Sequence, residues 1–164
     1  MSATIPLSIQ FAPVGNYPTP LPVYATSGSA GMDLCAALKV GTCVGLNPGQ
    51  RTLAKTGWAV AIPEGYEGQV RSRSGNALKH GLVVLNSPGT IDSDYRGEIG
   101  VILANLGGDY VAIQSGDRIA QLVICPIAKC LPVVVNVDDL GATVRGSGGY
   151  GSTGSAAYDG PKSH

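Results

Sequence analysis

No run of apolar residues in this 164-residue chain approaches the length that a bilayer crossing needs, and neither sign of charge prevails. Eleven Lys and Arg balance eleven Asp and Glu, so the strong basic excess typical of proteins that bind a nucleic acid backbone is missing. That argues against polymer binding and leaves room for a local anion site. The opening "MSATIPLSIQ" lacks the basic start and unbroken apolar stretch of a secretory leader. The expectation is a soluble, cytoplasmic protein with no membrane and no nucleic acid among its partners. Zinc ligands are scarce as well. The histidines are His80 and His164, and cysteines at 35, 43, 125 and 130 match no zinc-ligand spacing. Reduced thiols packed as small apolar side chains are expected instead.

What is plentiful is punctuation. The 24 glycines and 11 prolines recur between short stretches rich in Val, Ile, Leu and Thr, a rhythm that predicts an all-β sandwich or barrel. Candidate strands are "IPLSIQF", "LKVGTCVGL", "GQRTLAKTGWAVAI", "GYEGQVRSR", "LVVLN", "EIGVILANL", "VAIQSG", "IAQLVICPI" and "PVVVNV". In "RSGNALKHG", Ser74 reads as an N-cap and Gly81 as a stop, which predicts one short helix. The length suits a single domain. Residues 1–140 read as its β core, and 141–164 as a flexible, glycine-rich arm.

Four stretches upstream of the arm carry chemistry. In "NSPGTIDSDYRGE" a Pro-Gly turn feeds an extended segment, where alternation would place Asp92 and Asp94 on one face and Tyr95 on the other. In "VRSRSGNA", Arg73 and Ser74 sit where the short helix would start, a place whose unpaired amides suit phosphate. "GDRIAQL" sets a polar Gln121 in an apolar strand, where it needs a partner. "AGMDL" sets Asp33 after a glycine, as turn and capping residues often are. Taken together, Arg73, Ser74, Gln121 and Arg145 are candidate phosphate partners, and Asp33 and Asp92 candidate partners for metal or water. A triphosphate with magnesium would use all of them.

In this order and spacing, "AGMDL", "RSG", "GTIDSDYRGE", "GDRIAQL" and "RGSGGYGSTG" resemble the five motifs of the trimeric dUTPases, the dUTP nucleotidohydrolases. The intervening "LNPGQRTLAKTGWAVAIPEGYEG" is similar to that family too. The resemblance implies an all-β, distorted jelly-roll subunit in a homotrimer, with three sites shared between chains. The first, second and fourth motifs would come from one chain, the third from another, and the fifth from the remaining chain's arm. The activity implied is hydrolysis of dUTP to dUMP and pyrophosphate with Mg2+, which limits uracil incorporation into DNA and supplies dUMP for dTTP synthesis.

The resemblance also implies roles. Asp92 is the expected general base, activating water for attack on the α-phosphorus. Arg73, Ser74, Gly75 and Gln121 would hold phosphate oxygens, and Asp33 would reach the metal indirectly, through water. Asn86 with the main chain of Gly89, Thr90 and Ile91 would read uracil, with a further main-chain contact near Gly100. Tyr95 would lie against the deoxyribose and exclude a 2′-hydroxyl. From the arm, Arg145 would reach the γ-phosphate, helped by Ser152 and Thr153, Gly151 would also bind substrate, and Tyr150 would stack on the base. Two positions depart from the family's pattern. Ser72 stands where a proline is usual and frees a backbone donor, and Tyr150 replaces the common phenylalanine. Two rivals are a dCTP deaminase, which the hydrolase motifs and arm oppose, and a binding protein that uses the arm to engage a macromolecule.

Overall fold

The computed structural model describes residues 7–17 and 19–149, which divide at the Ala128–Lys129 junction into two units, each taken by itself below. The first holds ten strands and a single α-helix among its described residues: β1 Gln10–Pro13, β2 Met32–Cys35, β3 Cys43–Leu46, β4 Arg51–Ala61, β5 Tyr66–Arg71, α1 Ser74–His80, β6 Leu82–Val84, β7 Gly89–Ile91, β8 Glu98–Asn105, β9 Val111–Gln114 and β10 Arg118–Pro126. The described residues are thus mostly β with one short α-helix, as the punctuated sequence predicts.

The strands form two four-stranded sheets, ordered β1-β4-β8-β6 and β2-β10-β5-β7, and a β3-β9 ribbon, with antiparallel pairing throughout. Period-two alternation makes the core. On β8, Ile99, Val101 and Leu103 are buried while Gly100 and Ile102 face outward. Met32 and Leu34 of β2, with Ile119, Ala120 and Leu122 of β10, complete much of the same cluster. Asn105 ends β8 with no exposed surface. Its amide donates to Leu46 O at 2.9 Å and Asp109 O at 2.7 Å, and its Oδ1 accepts from Gly107 N at 2.9 Å. A buried amide so fully partnered ties three chain segments at one point.

Helix α1 stops at Gly81, whose φ of 65° lies in the left-handed region, and its N–H reaches back to Ala77 O at 3.1 Å. The close backbone of Gly107 also leaves no space there for a Cβ. At its other end, the expected cap is displaced. Arg73, extended at φ −86° and ψ 126°, occupies the N-cap position without a side-chain cap, and Ser74 is the first helical residue. Arg73 is pinned by an ion pair to another strand, which fixes where the helix can begin.

Three other expectations change. "PVVVNV" forms no strand. It lies in the second unit, where Val133 and Val134 are 71% and 100% exposed and the regular element is a 3-10 turn at Val137–Leu140. Its β-propensity finds no pairing strand. "AGMDL" yields strand β2 rather than a turn, through pairing with β10. The extended segment ends at Ile91. Asp92 and Asp94 lie in a turn, closed by Tyr95 N donating to Asp92 O at 3.1 Å, and share no strand face.

Candidate active site

Strand register brings three of the motifs together. Asp33 on β2 is the register partner of Gln121 on β10, and Gln121 in turn faces Arg71 on β5. The approach is close: a Cβ on Gly31 would stand 3.2 Å from Gln121 Cβ and 3.3 Å from Val123 Cγ2. Gln121 is half-buried, and no hydrogen-bond partner for its amide occurs among the described residues, so the partner expected inside the strand is absent there.

Asp33 is the hub. Its Oδ1 accepts from Arg73 Nε at 3.0 Å and its Oδ2 from Arg118 Nη1 at 3.4 Å, with the carboxylate side chain only 16% exposed. Arg118 O accepts from Asn76 Nδ2 at 3.0 Å and from Arg73 Nη1 at 3.4 Å, which closes the ring between β10 and α1. Two guanidinium groups around one carboxylate leave a net positive charge and unused donors, a setting that attracts an anion. A cavity of about 500 Å³ opens here, lined by residues that include Arg73, Asn76, His80, Tyr110, Asp117 and Arg118. Sequence reasoning missed Arg118 and Asn76, although Arg118 gave a signal as a cation at the head of the buried Ile119–Ala120 run.

Cys35, two residues beyond Asp33, stays a thiol. Burial first, and then the Asp33 carboxylate, push its pKa above the usual thiol value. Ser74 and Gly75 open α1, and nothing lies within 4 Å of where a Cβ on Gly75 would sit. Ser72 just before them contributes through its side chain: its Oγ accepts the Val84 N–H at 2.8 Å, binding the end of β5 to β6.

The third motif is built on the far side of β5. Strand β7 pairs with it through Gly68↔Ile91, Gln69↔Thr90 and Val70↔Gly89. Asn86 Nδ2 lies 3.0 Å from where a Cβ on Gly89 would sit, so that glycine admits the amide. Past Ile91, Asp92 is exposed, and the loop is held by Arg96 Nη1 donating to Ser93 O at 2.6 Å and Tyr95 O at 2.8 Å. Tyr95 Oη donates to Glu98 O at 3.0 Å. Gly100 stands apart on β8, in the other sheet, with Leu53 Cδ1 2.8 Å from where its Cβ would be.

One chain therefore gathers Asp33, Arg73, Arg118 and Gln121, while Asp92 and Ser74 lie on different segments that flank β5. Asp92 follows the register partner of Gly68, and Ser74 follows Arg71 by three residues, so the two segments leave β5 at positions three extended residues or about 10 Å apart along the strand. In the second unit, Arg145 Nε donates to Gly148 O at 2.8 Å. Tyr150, Gly151, Ser152 and Thr153 lie outside the described residues.

Comparison with known proteins gives the family. The dUTPase family profile matches residues 18–154. The deoxyuridine 5'-triphosphate nucleotidohydrolase of Methylocella silvestris is 52% identical over 96% of both chains. That of Caulobacter vibrioides is 54% identical over 85% of this chain and 89% of the relative. Among solved structures, a Staphylococcus bacteriophage 80alpha dUTPase with dUpNHpp superposes with a TM-score of 0.75 at 29% identity, covering 90% of this chain and 98% of the other. A phage phi11 dUTPase, described for its coordination of a structural Mg(II) ion, gives 0.67 at 29%, covering 80% and 97%. This chain belongs to the dUTPase family. It is a hydrolase of nucleotide metabolism. No helix among the described residues is long and apolar enough to cross a membrane.

Proposed function

We propose that the protein hydrolyses dUTP to dUMP and pyrophosphate as a homotrimer of jelly-roll subunits whose sites are shared between chains. The observation that carries this reading is that Asp92 and Ser74 lie on different segments, leaving β5 at positions three residues apart, which suits a site completed by a second chain. An apolar face supports assembly. Leu53 and Ile102, register partners across β4 and β8, are 61% and 37% exposed, and Leu85, 50% exposed, donates its N–H to Ile102 O. The dUpNHpp of the phage 80alpha structure, an analogue of dUTP, supports the substrate.

In this reading Arg73, Ser74, Gly75 and Gln121 hold the α- and β-phosphate oxygens. Asp92 of a neighbouring chain takes a proton from water as the water oxygen attacks the α-phosphorus. The bond from that phosphorus to the bridging oxygen breaks, and pyrophosphate leaves with the electron pair. Asp92 suits a base that must meet solvent because its carboxylate is exposed. Asn86 and the β7 main chain read uracil, and their close packing at Gly89 leaves little room for a 5-methyl group. Tyr95 lies against the deoxyribose. Residues 141–164 act as the arm, with Arg145 and, beyond it, Tyr150, Gly151, Ser152 and Thr153 closing over the nucleotide of another chain.

The described residues hold no cluster of three acidic, His or Cys ligands for a metal, so a protein-built magnesium cage does not fit. An ion carried in on the triphosphate does. Both Asp33 oxygens already accept from arginines, yet each keeps a second lone pair for a metal-bound water. Such an ion supplies neutralisation of phosphate charge.

The test is pyrophosphate release from dUTP, dCTP, dTTP and UTP with magnesium, comparing the full chain with one ending at Leu140. Selective hydrolysis of dUTP that collapses on truncation is expected. Loss of selectivity would overturn the base reading, and activity that survives truncation would overturn the arm.

A further inference from the structure

Tyr95 does not keep its place through burial, since 45% of it is exposed. Two features locate its ring. The hydroxyl donates to Glu98 O at 3.0 Å, and the ring lies across Gly97. A Cβ on Gly97 would stand 2.6 Å from Tyr95 Cζ and 3.0 Å from Cε2, and would overlap the hydroxyl oxygen. Those separations lie well inside van der Waals contact, and the group that can yield is the free end of the Tyr95 side chain. Gly97 is not in the left-handed region, so its backbone conformation is open to alanine. It is the ring that demands glycine at this position.

We infer that Gly97 is a positioning residue for sugar discrimination: its missing side chain is the seat on which Tyr95 rests to close the space of a 2′-hydroxyl. This rests on the reading of Tyr95 as the group that excludes ribose. A methyl group at 97 displaces the phenol from Glu98 O and turns the ring toward solvent. The sugar side of the site then opens, while the core strand that begins at Glu98 stays in register. The signature is specific, because general damage lowers turnover of dUTP and UTP alike, whereas loss of the seat changes their ratio.

The experiment measures kcat/KM for dUTP and UTP in the full chain and in Gly97→Ala, Tyr95→Ala and the double variant, with thermal unfolding of each. In Gly97→Ala the UTP-to-dUTP ratio should rise on the order of tenfold or more, as in Tyr95→Ala, with no further rise in the double variant because both substitutions remove one device. A ratio unchanged in Gly97→Ala while Tyr95→Ala admits UTP would overturn the inference and spare the reading beneath it. Continued rejection of UTP by Tyr95→Ala would overturn both. If Gly97→Ala alone fails to fold, folding regained in the double variant supports the clash with Tyr95. Failure of both to fold would mean that the backbone itself needs the glycine, and the inference falls.

Discussion

Arg73 and Asp33 lie forty positions apart in the chain, yet their side chains meet at 3.0 Å, Nε to Oδ1, across the start of α1 and the middle of β2. The pair does two things. It fixes where the helix begins, and it aims a guanidinium whose Nη1 also reaches Arg118 O and whose Nη2 has no partner among the described residues. Arg118 approaches the second oxygen of the same carboxylate.

Replacing Asp33 by Asn keeps the shape and removes the charge both arginines share. Asp33→Asn should destabilise the protein by about 1–2 kcal/mol, the scale of a partly buried hydrogen bond to a charged group. It should also lower kcat/KM for dUTP on the order of tenfold or more as Arg73 loses its aim. Chemical denaturation and steady-state hydrolysis read the two effects separately.

Asp92 is exposed, and the turn it begins is closed by its backbone carbonyl. Asp92→Asn should therefore fold normally and bind dUTP within a few-fold of the parent. Its kcat should fall on the order of 100-fold or more, as expected when a general base is lost. Near-normal turnover would remove Asp92 from that role.

The proposed sharing of sites between chains permits a complementation test. Chains carrying Asp92→Asn and chains carrying Ser74→Ala, each inactive alone, should regain activity when unfolded together and refolded as a mixture. Random assortment in a symmetric trimer restores about a quarter of the sites. A mixture no more active than its parts would place Asp92 and Ser74 in one chain's site.

Ser72→Ala removes the acceptor of the Val84 N–H, and Val84 is only 3% exposed. The orphaned donor should cost about 1–2 kcal/mol, and the loosened link between β5 and β6 should raise KM for dUTP because Asn86 follows directly. Thermal unfolding and KM measured on the same preparation check both.

Cys35, with its pKa raised by burial and Asp33, favours the folded state as a neutral thiol. A raised folded-state value leaves stability intact below the unfolded thiol's pKa and erodes it as pH climbs past about 9.0. Cys35→Ala should flatten that alkaline loss in denaturation curves. The exposed Cys43 and Cys130 should react with a thiol reagent before Cys35 does.

Much of the fold was legible because alternation is local. Ile99, Val101 and Leu103 announce a half-buried strand whatever they later pair with. "PVVVNV" announced one equally well, and its failure shows that propensity does not supply a partner. Strand β2 hid in "AGMDL" because four residues are too few to show a period, and its pairing lies on a strand more than eighty residues away. The same distance hid Arg118, whose guanidinium meets Asp33 across strands. Ser72 read as a freed backbone donor, whereas its contribution is a hydroxyl that accepts. The motifs named Asp33, Arg73 and Gln121 as candidates, and the structure pairs Asp33 with Gln121 in register and with Arg73 in an ion pair. Which end of β5 each motif occupies emerged only from the register of β7.

The proposed sharing of sites has a consequence for how the enzyme behaves when scarce. In that assembly Asp92 and Ser74 of one site come from different chains, so an isolated subunit would hold only part of each site. Specific activity would then become a function of dilution, holding while chains remain associated and falling once they part.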